Sequence, residues 1–592
     1  MVERTTLLEF FDRWCAAQPT PALIDARGGA EIRLPAPEVA RRVAGLAQGL
    51  GNLGVGRGDR VAVMSWNRPE WHIVDFAVQH LGAVLVPLYP TLLAPQAAQI
   101  LHDSGARVVV VDNDEQLAKV QVVRGDCPAL ERVLLIDGPP PTGVVSLTGA
   151  ATAVGDVEAR RYLAARRAEA SPGDLATIIY TSGTTGEPKG AMLTHDNFAF
   201  DAISSSSVMP WPAGGEQALA FLPLSHVLER LVDYIYFYRG LSIAYCNVPD
   251  LAEALRRIRP HLFTAVPRVY EKIHDRIQEE TARAGGLKLA IFRAAAAEAH
   301  ESVRRRRRGM RWHLFDKLVY TKIRAAFGGR VRFSISGGAP LPVFVGEFFH
   351  GAGVLVLEGY GLTETSPVIS VNSVSRHRLG TVGPVIPEAE VRIAADGEVL
   401  TRGRHVMTGY WNKPEATAAV LDRDGWLATG DIGELTADGM LRITDRKKDL
   451  LVTAGGKNIA PQPIENRLKE SPLVDNAVLF GDRKPFVTAL LVPAFEPLRA
   501  WAKSRGLDTG DIAALLAHPD VLALYRGVIE EVNGELARFE TIKKFRLLVA
   551  PFTMDSGELT PTLKVKRRVI EQRYGALLEG MYLEGHEPEP RG

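Results

Sequence analysis

The stretch Tyr180-Thr-Ser-Gly-Thr-Thr-Gly-Glu-Pro-Lys-Gly190 decides how this chain is interpreted. It follows Leu175-Ala-Thr-Ile-Ile179, a short apolar and β-branched run that predicts a strand. Thr194-His-Asp-Asn197 then supplies small polar residues that can cap the start of a helix. A strand that leads through a Gly/Ser/Thr loop to a helix presents N–H groups, hydroxyls and a lysine to an anion. The stretch therefore predicts a phosphate-binding loop.

Seven residues of this loop are candidates for contacts with phosphate groups. They are Thr181, Ser182, Gly183, Thr184, Thr185, Gly186 and Lys189. Loops of this composition are most often flexible connectors, and the lysine at a fixed distance after the last glycine is what favours phosphate binding. The loop is not a Walker A loop, because no Gly-Lys-Ser/Thr occurs in it.

Length and composition limit the class of protein. A chain of 592 residues exceeds one small core and predicts several domains or subdomains. The formal net charge is +1, which gives no support for a nucleic-acid partner. The apolar share of 46% is ordinary for a globular protein.

Targeting and cysteine signals favour a cytoplasmic protein. Cys15, Cys127 and Cys246 are scattered, with no Cys-x-x-Cys spacing, which argues against a disulfide framework or a structural zinc site. The first residues lack the basic and apolar regions of a signal peptide. No uncharged apolar run reaches the ~18 residues that a membrane span needs.

Four continuous apolar runs alternate with helical stretches between Arg60 and about Asp137. The runs are Val61–Met64, Ala83–Pro87, Val108–Val111 and Val133–Ile136. Such runs are typical of strands buried on both faces, so they predict a parallel sheet covered by helices. The Pro-, Gly- and Ala-rich segment from Gly138 to about Ala170 is expected to be a surface connection.

A histidine follows the next predicted strand, Ala218–Pro223. His226 stands in Leu224-Ser-His-Val-Leu-Glu-Arg230. A lone histidine is more often structural, but ligands of open α/β sheets lie beyond the carboxyl ends of the strands, where His226 is expected. We therefore treat His226 as a candidate that faces a ligand.

Two further strand ends carry candidate ligand contacts. The predicted strand Val331–Ser336 opens into Gly337, Gly338 and Ala339, where a flat ring could approach the backbone closely. In the segment Tyr360-Gly-Leu-Thr-Glu364, the tyrosine offers a stacking face, Thr363 a hydroxyl for phosphate, and Glu364 an oxygen ligand for Mg²⁺.

The pattern changes after Gly380 to short alternating strands and turns, which predict a small antiparallel barrel. The charged segment Thr444-Asp-Arg-Lys-Lys-Asp449 separates two apolar regions and is expected to be a domain boundary. Residues Pro461–Ser471 predict an amphipathic helix, and a long helical stretch follows from Glu496 to about Glu540. Near the end, the basic segment around Lys564 could be simply an exposed tail.

Taken in order, from roughly Leu7 to Glu571, these motifs resemble the adenylate-forming (AMP-forming) ligase superfamily. The segment Leu-Pro-Leu-Ser-His-Val-Leu-Glu-Arg, residues 222–230, is most similar to the long-chain fatty acyl-CoA synthetases. The resemblance implies a multidomain α/β fold, with a large N-terminal domain of layered α/β sheets plus a small β-barrel. A small α+β C-terminal domain would be joined to it by a hinge, giving domains at residues 1–445 and 446–592.

The resemblance also implies an activity and roles for the candidate residues. A fatty acid would react with ATP to give acyl-AMP and pyrophosphate, and CoA would then take the acyl group, with ATP, Mg²⁺ and CoA as the required small molecules. The implied ATP-binding residues are Thr181, Ser182, Gly183, Thr184, Thr185, Gly186, Lys189, Gly337, Gly338, Ala339, Tyr360, Gly361, Thr363, Asp431 and Arg446. The implied catalytic residues are Lys564, His226, Thr363 and Glu364, with Glu364 on the metal, Lys448 at the hinge, and Gly455 and Gly456 along the CoA path.

One motif departs from the family pattern. The superfamily usually has Ser-Gly-Lys where this chain has Thr562-Leu-Lys564, as long-chain synthetases do, and Lys566 is the competing choice for the catalytic lysine. Two other functions stay open at this point: an acyl-AMP ligase that loads a carrier protein, and an inactive nucleotide-binding relative. The joint presence of Lys189, Glu364, Asp431, Arg446 and Lys564 argues against the inactive relative.

The sequence leaves the acyl chain length and the choice between monomer and homodimer open. A water-insoluble fatty acid as substrate suggests peripheral contact with a membrane. The run Arg304–Arg308 with Arg311 could bind a membrane or the phosphates of CoA, but a solvated helix face or mobile loop is the interpretation we favour here.

Overall fold

A computed structural model describes residues 2–29, 31–181, 187–211, 215–454, 457–554, 556–560 and 565–583. Eight of the predicted site residues lie outside these described residues. They are Ser182, Gly183, Thr184, Thr185, Gly186, Gly455, Gly456 and Lys564.

The strands and helices are numbered in chain order. The strands are β1 (Leu23–Asp25), β2 (Ile32–Leu34), β3 (Arg60–Met64), β4 (Val84–Leu88), β5 (Val108–Val111), β6 (Arg132–Leu135), β7 (Val145–Ser146), β8 (Leu175–Thr181), β9 (Lys189–Thr194), β10 (Gln217–Ala220), β11 (Ser242–Tyr245), β12 (Leu262–Ala265), β13 (Phe333–Ser336), β14 (Val356–Tyr360), β15 (Ser370–Val371), β16 (Glu390–Ile393), β17 (Glu398–Arg402), β18 (Gly409–Tyr410), β19 (Leu427–Leu435), β20 (Leu441–Arg446), β21 (Leu451–Val452), β22 (Asn458–Ile459), β23 (Val474–Phe480), β24 (Val487–Pro493) and β25 (Ile542–Leu547). The helices are α1 (Leu7–Ala17), α2 (Ala36–Asn52), α3 (Pro69–His80), α4 (Ala94–Ser104), α5 (Asp114–Val122), α6 (Leu147–Ala150), α7 (Asp156–Glu169), α8 (His195–Ser207), α9 (Val227–Arg239), α10 (Leu251–Ile258), α11 (Pro267–Ala284), α12 (Gly286–Arg304), α13 (Met310–Phe315), α14 (Thr321–Ala326), α15 (Val343–Gly351), α16 (Pro414–Ala418), α17 (Pro461–Leu468), α18 (Phe495–Ser504), α19 (Ile512–Ala517), α20 (Pro519–Asn533) and α21 (Arg567–Leu583).

Two eight-stranded sheets form the centre of the N-terminal part. One has the order β18-β9-β8-β4-β3-β5-β6-β7, and the other has the order β15-β14-β13-β12-β10-β11-β1-β2. Neighbouring strands in the middle of each sheet are parallel, and antiparallel pairs lie towards the ends. The four apolar runs between Arg60 and Asp137 are parallel strands of the first sheet, as predicted.

The main hydrophobic core joins the two sheets through helices α3, α8 and α9. Its buried side chains come from both sheets and from these helices. Two further clusters cover the outer face of each sheet, one with α4 and α5 and the other with α10 to α15. This layering explains why the central strands consist of continuous apolar runs, since both of their faces are buried.

Two smaller units complete the described chain. An antiparallel sheet has the order β16-β17-β19-β20, and the C-terminal part contains the sheet β23-β24-β25 packed with helices. The α/β class with a C-terminal α+β unit agrees with the prediction. Among the described residues no pairing joins β16 to β20, so the predicted small barrel is an open sheet.

Three local predictions need correction. The segment from Gly138 to Ala170 is more than a surface connection, because it contains the helix α7, which packs on α2. The helical stretch after Glu496 is divided into α18, α19 and α20. The loop after β8 leads into the antiparallel strand β9 rather than directly into a helix.

Candidate functional site

The predicted phosphate loop connects two antiparallel strands. Thr181 at the end of β8 pairs with Lys189 at the start of β9. Helix α8 begins only after the six-residue strand β9, and it is capped by Thr194, whose hydroxyl accepts from the N–H of Asn197. The helix start is therefore predicted correctly. However, strand β9 separates its N–H groups from Lys189, so the helix does not follow the loop directly.

Lys189 lies beside Tyr410, a residue that no sequence motif singles out. Its Nζ is 5.3 Å from the centroid of the Tyr410 ring, a distance at which a cation and an aromatic face attract each other. Tyr410 belongs to β18, which pairs with β9 opposite Ala191. Because Ala191 is two residues after Lys189 in β9, this pairing places the Tyr410 ring beside the Lys189 side chain.

Tyr410 also connects Lys189 to Glu364. Its hydroxyl donates a hydrogen bond to Oε1 of Glu364 at 2.7 Å. The carbonyl of Glu364 accepts from the N–H of Met407 at 2.8 Å, which fixes the backbone of this residue. Burial and the Glu364 charge hold the pKa of Tyr410 far above its ordinary value, so the hydroxyl stays protonated and can donate. An ammonium group and a carboxylate therefore flank one aromatic ring beside the loop.

A second cluster contains Tyr360, Asp431 and Arg446. The Tyr360 hydroxyl donates to Oδ2 of Asp431 at 2.8 Å, and the Arg446 Nε lies 3.4 Å from Oδ1 of the same carboxylate. Asp431 and Arg446 are directly paired across β19 and β20, while Tyr360 ends β14 in another sheet. Burial and the Asp431 charge raise the pKa of Tyr360 well above its ordinary value. The open sheet thus supplies a buried carboxylate to the end of β14.

The glycine turn after β13 packs closely against the start of α9. The N–H of Gly337 donates to the Ala265 carbonyl at 3.1 Å. A Cβ added at Gly337 would lie 2.8 Å from Cδ2 of Leu228, and Gly338 has a φ of +84°. A larger residue at Gly337 would require the Leu228 side chain to shift, and Gly338 has a backbone conformation that favours glycine. Ala339 follows this turn and is half-buried.

His226 caps helix α9. Its Nδ1 accepts from the N–H of Leu228 at 3.1 Å, so Nε2 carries the ring proton when the imidazole is neutral. The ring is half-buried. The close approach of Leu228 to Gly337 places His226 near the glycine turn.

The segment after Tyr360 is shaped by a close backbone approach. A Cβ added at Gly361 would lie 1.6 Å from the Pro367 carbonyl oxygen, so a side chain cannot be accommodated there. Thr363 begins the short 3₁₀ turn that follows, and both Thr363 and Glu364 are half-buried. The turn therefore presents these two side chains at the end of β14.

A buried polar network connects helix α9 with strand β8. The Arg230 guanidinium donates to Asp75 at 2.6 Å, to the Thr177 hydroxyl at 2.7 Å and to the Tyr234 hydroxyl at 2.9 Å. The side chains of Arg230 and Asp75 are both 0% exposed. Burial alone would raise the pKa of Asp75, but Arg230 and His72 lower it to about 2. The network fixes the helix that carries His226 to the strand that enters the loop.

The predicted hinge begins where β20 ends. Lys447 pairs with Asp396 at 2.7 Å and with Glu398 at 2.8 Å, whereas Lys448 is exposed in a turn. Asp445 is buried, and its Oδ2 accepts from the N–H of Gln462 at 3.2 Å, at the start of α17. Burial raises the pKa of Asp445 to about 6. The residues before and after Lys448 are thus held by side chains, and the turn itself is closed by hydrogen bonds from the N–H groups of Asp449 and Leu450 to the Arg446 carbonyl, at 2.9 and 3.1 Å.

The buried carboxyl of Glu358, two residues before Tyr360, is expected to make the stability of the protein depend on pH. Burial raises its pKa from 4.5 to about 7, although Oε2 accepts from the N–H of Leu341. Between these pH values the folded protein holds a proton that the unfolded chain has lost, so this residue makes stability fall as pH rises. We expect Glu358→Gln to remove this loss, which is about 3 kcal/mol at most. Unfolding of both proteins in urea at pH 5 and pH 7 measures it.

Between pH 5 and pH 7, the free energy of unfolding of the variant should rise relative to that of the wild type. Curves that stay parallel over this range would show that Glu358 does not bind a proton in the folded protein at pH 6.

Known proteins resemble this chain along most of its length. The family model described as AMP-binding enzyme matches residues 11–411, and the model for the AMP-binding enzyme C-terminal domain matches residues 448–586. This chain belongs to the AMP-binding enzymes. Residues 412–447 of this AMP-binding enzyme lie between the two matches, and the second match begins at Lys448.

Curated relatives cover almost all of this AMP-binding enzyme. It is 40% identical over 556 residues to the long-chain-fatty-acid–CoA ligase FadD15 of Mycobacterium tuberculosis, covering 92% of this chain and 91% of that one. It is 34% identical to the peroxisomal long chain acyl-CoA synthetase 6 of Arabidopsis thaliana, covering 92% and 81%. The similarity is therefore not confined to a single domain.

Solved structures support the fold of this AMP-binding enzyme. The adenylation domain of a carboxylate reductase from Mycobacterium chelonae superposes with a TM-score of 0.76 at 24% identity, covering 98% of this chain and 91% of that one. The anthranilate CoA ligase AuaEII, solved with anthranoyl-AMP, gives a TM-score of 0.72 at 20% identity, covering 98% of each chain.

Proposed function

We propose that this AMP-binding enzyme is a long-chain fatty acid–CoA ligase that forms AMP. It activates a fatty acid with ATP and then transfers the acyl group to CoA. The observation that carries the assignment is the 40% identity to a long-chain-fatty-acid–CoA ligase along 92% of the chain. The juxtaposition of Lys189, Tyr410 and Glu364 gives it a physical basis, because strands from separate parts of the chain place opposite charges beside the predicted phosphate loop.

In the first half-reaction a carboxylate oxygen of the fatty acid attacks the α-phosphorus of ATP. A new P–O bond forms as the bond to pyrophosphate breaks. The protein's task is to orient the two anions and offset their charge. We assign contacts with the β- and γ-phosphates to the loop residues Thr181, Ser182, Thr184, Thr185 and Lys189.

We assign the nucleoside to the second cluster. Tyr360 would offer a ring face to the adenine, and Gly337 and Gly338 would let the ring lie close to the backbone. Asp431 would accept from the ribose hydroxyls, with Arg446 beside it. The short distances between Tyr360, Asp431 and Arg446 support a single nucleoside pocket.

The donor chemistry beside the loop fits Mg²⁺. Mg²⁺ is usually bound by one or two carboxylates plus substrate phosphates rather than by an all-protein cage. Among the described residues there is no group of three or more potential metal ligands, and Glu364 is a half-buried carboxylate next to the loop. Glu364 would hold the ion, which supplies charge neutralisation for the leaving pyrophosphate when bound.

The remaining catalytic roles are assigned by position in the chain. Lys564 would bridge the fatty acid carboxylate and the α-phosphate. Thr363 would contact phosphate, and His226, on the cap of α9, would adjoin the acyl carboxylate.

In the second half-reaction the CoA sulfur attacks the acyl carbonyl. A C–S bond forms and the C–O bond to AMP breaks, so no nucleophile from the protein is needed. We propose that residues 1–445 bind ATP and the acid. Residues 446–592 would supply Lys564 first and the pantetheine path along Gly455 and Gly456 later. Because both cannot face the site together, the small domain must rotate at Lys448 between the two steps.

Lys448→Pro is therefore expected to separate the half-reactions. Pyrophosphate release should stay largely intact, while thioester formation falls, because proline fixes φ at the pivot. Among the described residues no group accepts a hydrogen bond from the Lys448 N–H, so proline removes none here. Pyrophosphate release and acyl-CoA yield are measured in parallel.

The matched control is Lys448→Ala, which removes the charge but keeps rotation about φ. It should behave like the wild type in both assays. An equal loss of both steps in Lys448→Pro would count against a pivot at this residue.

The assigned activity is tested with a series of fatty acids of increasing length, each with ATP and with or without CoA. We expect ATP-dependent pyrophosphate release with long-chain acids and an acyl-CoA product only when CoA is present. Acyl-AMP that accumulates without reacting with CoA would favour an acyl-AMP ligase for a carrier protein. Absence of pyrophosphate release with every acid would overturn the assignment.

A further inference from the structure

An apolar stripe lies on the outer face of the helical segment Met310–Ala326. This segment consists of α13, a π-helical turn at Asp316–Tyr320, and α14. The side chains of Met310, Leu314 and Leu318 are 91%, 57% and 45% exposed. They stand four residues apart, so they share one helix face. Single exposed apolar residues are ordinary, whereas three large ones aligned on one helix face make a candidate interaction surface.

The opposite face of the same segment is firmly anchored. Trp312 and Tyr320 are buried there, and they donate hydrogen bonds to the carbonyls of Gly351 at 2.6 Å and Ala295 at 2.7 Å. The stripe is therefore held outward by packing. Binding a partner would require no refolding of this segment.

The stripe lies in a strongly cationic part of the chain. Residues 302–326 contain nine Lys or Arg and one acidic residue, Asp316, which pairs with Arg324 at 2.6 Å. Arg304 pairs with Glu347 of α15, and Arg305 pairs with Glu301 one turn earlier in the chain. Within the described ranges, no ion pair involves the following four cations: Arg306, Arg307, Lys317 and Lys322.

The combination of apolar and cationic side chains favours a lipid surface over nucleic acid as the partner. Nucleic acid would use the cations but not three aligned apolar side chains, and a simple solvated face would not carry the stripe. A helix that has an apolar face flanked by Lys and Arg suits the boundary between lipid head groups and acyl chains. Among the described residues, no helix has the length and apolarity to cross a membrane, so the contact would be with one surface of the bilayer.

We propose that this face, formed by Met310, Leu314 and Leu318 with the flanking cations Arg306 and Arg307, binds the surface of an anionic lipid bilayer. The apolar side chains enter the head-group boundary and the cations contact the lipid phosphates. This proposal differs from the interpretation as a solvated helix face or mobile loop that the arginine run favours by itself. The inference does not depend on the proposed activity, since it rests on the exposed surface alone.

The test is sedimentation of the full-length protein with vesicles of phosphatidylcholine containing phosphatidylglycerol, compared with vesicles of phosphatidylcholine alone. We expect binding to the anionic vesicles that weakens with salt. Arg306→Ala with Arg307→Ala should weaken it about thirtyfold at low salt, since each cation near such a surface contributes about a fivefold change in affinity. Leu314→Ser with Leu318→Ser should weaken it by roughly tenfold.

The matched control is Val122→Ser with Val157→Ser, two valines that are 79% and 73% exposed elsewhere on the surface. It should bind like the wild type, and an unchanged thermal midpoint of each variant excludes unfolding. Leucine variants that bind like the wild type would overturn the proposal, as would equal binding to both kinds of vesicle. Retention of a DNA duplex, but not of vesicles, by the same surface would assign it to nucleic acid and overturn it too.

Discussion

Glu364→Gln is expected to slow ATP-dependent pyrophosphate release by a factor of about 10² to 10³. The amide has nearly the shape of the carboxylate but lacks its charge, so it cannot hold a Mg²⁺ ion equally well as charge develops on the leaving group. The variant should also need a higher Mg²⁺ concentration for half-maximal rate. Initial rates at several Mg²⁺ concentrations measure both effects.

Tyr410→Phe is the matched control. It keeps the ring beside Lys189 and the Glu364 charge but removes the 2.7 Å hydrogen bond between Tyr410 and Glu364. We expect a loss of about tenfold, as for a single hydrogen bond to a charged group. A Glu364→Gln enzyme with the wild-type rate and Mg²⁺ requirement would remove the metal role of this residue.

Asp75→Ala is expected to lower the free energy of unfolding by about 3–5 kcal/mol. The change leaves the Arg230 guanidinium buried at 0% exposure without its anionic partner. It also removes the acceptor of the Tyr234 hydroxyl. The midpoint of the first unfolding transition in urea, followed by fluorescence, measures the loss.

An exposed ion pair gives the matched comparison. Glu434 and Arg442 lie 2.9 Å apart with side chains 56% and 45% exposed, so Glu434→Ala should cost no more than about 1 kcal/mol. The double variant Asp75→Leu with Arg230→Met should recover most of the loss, because it removes both buried charges. Equal midpoints for Asp75→Ala and Glu434→Ala would show that the buried network does not stabilise the protein.

Local patterns predicted the parts of the fold that depend on near neighbours. The run Val108–Val111 is a central parallel strand because a strand buried on both faces needs continuous apolar residues. Helix α8 begins after Thr194, as its side chain suggests, because a cap is made within three residues. At Gly337 the sequence predicts the close approach of a flat ring, and the structure shows a close approach of the Leu228 side chain.

Local sequence patterns do not predict contacts between distant segments. Tyr410 is 46 residues from Glu364, and the only local signal was an aromatic pair, Tyr410-Trp411, after a glycine. The sequence pattern did not predict strand β9, because this short strand lies directly between a loop and a helix cap. The pairing of Arg230 with Asp75, 155 residues away, depends on how two helices pack between the sheets.

The sequence by itself determined the class of fold, the parallel strands between Arg60 and Asp137, and several of the polar residues at strand ends. Only the tertiary structure decided which of these residues meet, such as Tyr360 with Asp431 and Lys189 with Tyr410. It also decided that Met310, Leu314 and Leu318 face outward. The physical reason is that periodicity and capping report interactions within a few residues, whereas burial and pairing across sheets depend on the packing of the whole chain.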